Sequence, residues 1–298
     1  MTCAPSAARI GPADRSYTPL VGEYGDVRGL TVVAAPPAPP TWRERLTAVP
    51  VGLAAGGILA QIAHPLLDGS SLRRATVTVV LLLSAAAVTH AALAWGVRAA
   101  ATMLVTAAGL GLLAESVGVA SGVPFGEYAY ADTLGPKVAG VPLLVPLAWT
   151  MLAYPCLLLG RRLGGGHGTA GVATVGGLAL ASWDLFLDPQ MVADGHWTWL
   201  FPHPALPGVP GIPLTNYGGW MIVAPWMIAV LHQALPRDPV PERVPAAVLA
   251  WTWLGSALGN LVFFGRPWVA LWGGLAMGLF VAPYLWRVRE ELRREGEL

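Results

Sequence analysis

Residues 75–96 read ATVTVVLLLSAAAVTHAALAWG, an apolar run without an Asp, Glu, Lys or Arg. A helix needs roughly 20 such residues to cross the hydrocarbon core of a bilayer. Working outward, seven further runs of that kind follow one another, at 46–67, 99–118, 141–160, 169–187, 216–235, 244–264 and 267–286. Glu115 and Asp184 interrupt the third and fifth of the eight. The composition agrees. Of 298 residues, 55% are hydrophobic and 12% charged, about half the ~25% charge of soluble domains, and the mean hydropathy is +0.57. A net charge of +1 leaves no basic footprint for nucleic acid. Two cysteines, Cys3 and Cys156, cannot build a disulfide framework or a zinc site. The expectation is an all-α, polytopic membrane bundle of about eight transmembrane helices.

Basic residues test that count, because cytoplasmic loops are enriched in them. With the N-terminus inside, Arg9, Arg15, Arg28, Arg43, Arg45, Arg98, Arg161, Arg162, Arg237, Arg243, Arg287, Arg289, Arg293 and Arg294 fall on the cytoplasmic side. Only Arg73, Arg74, Lys137 and Arg266 fall outside. Both termini are therefore expected in the cytoplasm and the chain in the cell membrane. Residues 1–45 carry five arginines and the prolines Pro36, Pro37, Pro39 and Pro40, without the apolar stretch of a signal peptide. They read as a disordered Pro-rich tail, ahead of a transmembrane catalytic domain at 46–286 and a charged cytoplasmic tail at 287–298.

Acids show the opposite bias. Asp68, Glu115, Glu127, Asp132, Asp184, Asp188 and Asp194 fall in outer loops or the outward halves of spans, joined by His64, Asn216 and Asn260. The third-to-fourth connection reads SGVPFGEYAYADTLGPKVAG (121–140), and the fifth-to-sixth reads DPQMVADGHWTWLFPHPALPGVPGIPLT (188–215). Both are long for links between packed helices. Their Gly, Pro and aromatic content predicts ordered capping or re-entrant structure around a polar chamber.

Two apparent motifs lead elsewhere. Gly109-Leu-Gly111-Leu-Leu-Ala114 matches a dinucleotide fingerprint, which has meaning only between a strand and a helix, not inside a span. The pairs Gly52/Gly56, Gly255/Gly259 and Gly274/Gly278 have GxxxG spacing, which predicts close helix–helix approach. Six histidines stand singly, with no zinc or di-iron spacing and no nucleophile–histidine constellation. No metal site is expected.

One chemical constellation survives. In Trp183-Asp184-Leu185-Phe186-Leu187-Asp188-Pro189, helical geometry puts Asp184 and Asp188 one turn apart on one face. Two carboxyls in a dry site oppose each other's ionisation, so one of them keeps the proton that a general acid needs. Glu115 supplies a third intramembrane carboxyl, and such groups are functional candidates by default. Trp183, Trp197, Trp199, Trp220, Phe125, Tyr128 and Tyr130 can surround them, and aromatic faces stabilise cations. Such a site suits protonation of an alkene and shelter of the carbocation, and equally suits binding of an apolar polyene.

The segments GVPFGEYAY (122–130), LGPKVAGVP (134–142), WDLFLDPQM (183–191), GHWTW (195–199) and GIPLTNYGGW (211–220), taken together, resemble the integral-membrane carotenoid biosynthesis protein family. The motifs run from about Glu115 to Trp220, and the spacing of spans agrees over most of 46–286. The chain departs from the family's usual aromatic pair before Gly-Ile-Pro, having Val209-Pro210 there. The resemblance, whose characterised members include carotenoid 1,2-hydratases of the γ-carotene and bisanhydrobacterioruberin type, implies hydration of the terminal C1=C2 bond of an acyclic carotenoid without a cofactor. Asp184, Asp188 and Glu115 are the expected catalytic groups. Trp183, Trp197, Trp199, Trp220, Phe125, Tyr128, Asn216 and Lys137 are the expected substrate-binding groups. A lipophilic carotenoid, the bilayer and other carotenoid biosynthesis enzymes are the expected partners. A carotenoid end-group cyclase and a non-enzymatic isoprenoid or carotenoid carrier remain open alternatives.

Overall fold

The computed structural model describes residues 42–296; the expected disordered tail therefore lies outside the described residues up to position 41. Among the described residues, eight α-helices make up the bundle: α1 Trp42–Ala63, α2 Gly69–Trp95, α3 Val97–Ser121, α4 Leu144–Gly164, α5 Gly168–Ala193, α6 Leu214–Ala234, α7 Arg243–Val262 and α8 Pro267–Arg294. Seven stretches among the described residues are long and apolar enough to cross a membrane, because the 50-residue stretch Leu144–Ala193 contains both α4 and α5. A single 3-10 turn at Gly165–His167 and Gly168, at φ +64, break it in two. The eight expected spans correspond to these helices, with differences at the ends, α2 beginning at Gly69 and α5 running past Leu187. α1 takes in residues 42–45 of the expected N-terminal tail, and α8 continues through most of the expected C-terminal tail.

α4 is the central helix. It packs against α2, α3, α5, α6, α7 and α8. Trp149, Leu152, Tyr154, Leu157 and Leu159 on it are almost wholly buried. The closest helix contacts are made by glycines, though not those of the three GxxxG pairs singled out from the sequence. A Cβ on Gly160 would lie 2.6 Å from the Val172 carbonyl oxygen, one on Gly176 2.6 Å from that of Cys156, and one on Gly177 2.3 Å from the Pro225 backbone. α4, α5 and α6 therefore touch through bare backbone. Of the expected pairs, Gly52 faces open space, and Gly56, Gly255, Gly259 and Gly278 meet side chains, as Gly274 meets the Ala257 Cβ. Spacing alone did not identify the contact, because close approach also needs a small residue or exposed backbone on the partner.

One end of the bundle is tied by charge and hydrogen bonds. Arg162 bridges Glu242 and Glu291 at 2.7 and 2.6 Å, and His90 joins Tyr154 Oη at 2.7 Å and the Pro241 carbonyl at 2.8 Å. The opposite end carries the two long connections, which fold as small antiparallel ribbons. β1 (Tyr128–Tyr130) pairs with β4 (Trp197–Trp199), β2 (Lys137–Val138) with β3 (Val141–Pro142), and β5 (Ala205–Leu206) with β6 (Val209–Pro213). The β1–β4 pair stitches the two connections together, with Tyr128 opposite Trp199 and Tyr130 opposite Trp197. Side chains alternate across a strand. Ala129 and Thr198 thus point outward, while the four aromatic rings turn down onto the helices.

Candidate active site

The chain reaches the site from three directions, beginning with α5. The fifth span was expected to end at Leu187, but the helix runs through Pro189 to Ala193. Membrane helices tolerate proline where neighbours satisfy the freed carbonyl. Asp184 and Asp188 consequently stand on one rigid helix, both buried. Asn216, in the first turn of α6, donates through one nitrogen to Asp184 Oδ2 at 2.7 Å and to Asp188 Oδ2 at 2.5 Å. An amide NH2 has two hydrogens, one for each carboxyl. Trp197 Nε1 donates to the other oxygen of Asp188 at 3.0 Å. Asp184 Oδ1 is buried without a partner.

α3 contributes Glu115, two turns before Gly122 (φ +74) ends the helix. Its Oε2 lies 2.5 Å from Tyr128 Oη and 2.8 Å from Tyr130 Oη, and Trp149 Nε1 donates to Oε1 at 3.0 Å. Burial, and then the adjoining Glu115 carboxyl, hold both phenols well above their ordinary value. They therefore remain hydrogen-bond donors throughout the physiological range. Glu115 is gripped by three donors from the ribbon and α4, whereas the aspartate pair shares one amide.

The ribbon closes the site as an aromatic lid. Tyr128 lies 5.6 Å from the Trp199 ring, and Tyr130 meets Trp197 edge-on at 5.4 Å. Trp199 Nε1 is tied to the Phe125 carbonyl at 2.9 Å. Below the lid, Trp149 and Trp220 stack at 4.0 Å with an 11° interplanar angle, and Trp183 meets Trp220 edge-on.

These groups enclose a cavity of about 60 Å³. Glu115, Asp188, Asn216, Phe125, Tyr128, Trp183, Trp197, Trp199 and Trp220 all line it. Asp184 does not; it stands behind, reached through Asn216. Lys137, expected among the binding residues, lies outside the cavity as well. Its ammonium donates to the Tyr130 carbonyl at 2.6 Å and to Asp132 at 2.7 Å. That contact holds the Asp132 carboxyl below its usual range and steadies the strand that carries Tyr130. Sequence reasoning missed Trp149, a lone tryptophan in an apolar helix with no charged neighbour to mark it. Gly111 was the available signal: a Cβ there would lie 2.8 Å from the Trp149 ring, so the glycine of the false fingerprint makes room for the indole.

A second, larger cavity of about 430 Å³ lies beside the first, between α1, α2, α4, α5 and α7. The two share Thr76, Val80, Ala148, Trp183, Leu187 and Met191. Among the described residues, no group of three His, Cys, Asp or Glu side chains is placed to hold a metal ion.

A helical bundle with apolar spans, three buried carboxyls and an aromatic lid defines a multi-pass membrane protein with an acidic site in its interior. The chain belongs to the carotenoid biosynthesis protein family, whose sequence profile matches residues 76–288, taking in the three carboxyls and the whole lid. It is 32% identical over 166 residues to the bisanhydrobacterioruberin hydratase of Haloarcula japonica. That alignment covers 54% of this chain and 50% of the relative, so the chain spans about half the length of the curated protein it matches. No solved structure matches it. Its role lies in carotenoid biosynthesis.

Proposed function

We propose that this protein is a carotenoid 1,2-hydratase of the cell membrane that adds water across the terminal C1=C2 double bond of an acyclic carotenoid end group. The observation that carries this reading is the meeting of Asp188 and Glu115 in one small aromatic-walled cavity. Two carboxyls held by a shared amide cannot both carry charge cheaply in a dry site, so Asp184 and Asp188 keep one proton between them. Asp188 lines the cavity and is the acid. It delivers that proton to C2, the π electrons form the new C–H bond, and a tertiary cation remains at C1. The Trp220 ring, held by Trp149 and Trp183, offers a π face to that charge.

Glu115, accepting from Tyr128, Tyr130 and Trp149, is the base. It orients a water whose oxygen bonds to C1 and takes the proton that this water sheds. The sum is one water added and no change of oxidation state, so the route calls for no cofactor. The proton left on Glu115 returns to the aspartate pair before the next turnover. The hydratase relative agrees with water as the capturing group.

The test is expression in a lycopene-producing host with mass analysis of the pigment. Wild type yields a product heavier by one water. Asp188→Asn lowers its formation about a hundredfold or more, the range for loss of a general acid. A product isomeric with lycopene would mean a cyclase, and unchanged pigment with the protein present in membranes would mean a carrier.

A further inference from the structure

The chemistry occupies only the small cavity, which is too small for a carotenoid. The larger cavity has no part in the proton steps, yet it borders the small one directly, the two sharing Thr76, Ala148, Trp183 and Met191 as wall residues. Its far wall is α7, where Gly255 and Gly259 remove side chains from one face. Those glycines belong to a GxxxG pair that makes no close helix contact. They line the cavity instead, Gly255 against the Trp251 ring and Gly259 beside that of Phe264. Ile62 of α1, Leu258 of α7 and Phe263, just past the end of α7, line the cavity and lie more than half exposed on the outer surface of the bundle. Of the polar wall residues, His64, Gln190 and Asn260 sit at helix ends, at the lid side, while Gln61, Thr76, Thr252 and Ser256 lie along α1, α2 and α7.

We infer that the 430 Å³ cavity is the binding channel for the polyene chain of the substrate, opening to the lipid between α1 and α7, with Trp183 and Ala148 at the neck that admits only the end group to the acid. The inference rests on the proposed site and adds the path by which the substrate reaches it. An extended, rigid, apolar chain fits this arrangement. It leaves the bilayer sideways without crossing water, lies along the glycine face of α7, and projects its terminal double bond past Trp183 toward Asp188. Bulk at Gly259 would narrow the channel at a point remote from the carboxyls. A Cβ there meets only the Phe264 ring, at 3.4 Å, so the helix itself accepts a side chain.

The experiment is lycopene binding to the purified full-length protein in detergent, read as quenching of tryptophan fluorescence, since Trp183 and Trp251 both line the cavity. Gly259→Leu is expected to weaken binding about tenfold or more, as overfilled packing does, while Gly259→Ala stays close to wild type. Gly259→Leu should still hydrate myrcene, a ten-carbon hydrocarbon with the same end group and too little chain to need the channel. A polyene carrying a photoactivatable diazirine, used on wild-type protein, should label peptides of α1 and α7. Lycopene binding unaffected by Gly259→Leu, or label confined to α3 and α6, would overturn the inference. Binding that follows this pattern without any gain of water would uphold the channel and sink the hydration chemistry, so the two readings fail separately.

Discussion

One amide of Asn216 meets two carboxyls, and three donors meet a third carboxyl, Glu115. That asymmetry separates acid from base more clearly than residue type does. Asn216→Leu keeps the size and removes both donors, leaving buried carboxyls without their partner. It should cost about 1–3 kcal/mol, read as a lower melting temperature in detergent, and hydration should fall with it. Trp149→Phe keeps most of the stack on Trp220 and removes one donor to Glu115. Product formation in membranes should drop about tenfold or more, in line with the ~1.5–3 kcal/mol of a hydrogen bond to a charged group. Rates equal to wild type would remove Glu115 from the role of base. Asp184, Asp188 and Glu115 were legible as candidates because intramembrane carboxyls are rare. That only Asp188 and Glu115 face the cavity was not legible, because orientation depends on where α6 places Asn216. Lys137 was chosen for its charge, and its charge turned out to serve Asp132.

Elements carry the same lesson in their glycines. Gly177 lies against the Pro225 backbone, whereas Gly218, on α6 itself, has nothing near its Cβ position. Gly177→Ala should destabilise by about 1–3 kcal/mol through overpacking. Gly218→Ala should be neutral or stabilising by up to ~1 kcal/mol, because alanine favours helix. Thermal melts of the two variants side by side check both. The helices themselves could be read directly, since apolar length is a local property of the chain. The lid could not. Tyr-Ala-Tyr and Trp-Thr-Trp each show the alternation of a strand, but three residues are too short to stand out, and each needs the other, 69 positions away, to form a ladder. α5 also outran its expected end, because a helix packed on α4 and α6 continues through Pro189 where an isolated one would stop.

For the whole molecule, orientation and substrate traffic are the testable properties. From the positive-inside distribution the lid is expected on the outer face. In a variant lacking Cys3 and Cys156, a cysteine at Asp132 should react with an impermeant maleimide in intact cells, and one at Asp238 only after lysis. The reverse pattern would invert the protein. Each chain has one acid chamber at the end of one channel. A carotenoid with two reactive ends must therefore leave and re-enter, and the singly hydrated pigment should accumulate before the doubly hydrated one in a time course. Simultaneous appearance of the doubly hydrated product would contradict one end per visit.

Sequence alone determined that the chain crosses the membrane about eight times, which of its few acids stand in the spans, and which family its motifs resemble. Each of these is written in local composition or in short fixed spacings, which hydrophobic length and the cost of buried charge make decisive. The tertiary structure decided which glycines bring helices together, which carboxyl faces the cavity and which stands behind it, that Trp149 belongs to the site, and that a larger cavity lies beside it. Those are relations between residues far apart in the chain. Their energies exist only once α3, α4, α5 and α6 have packed and the two outer connections have paired into a lid.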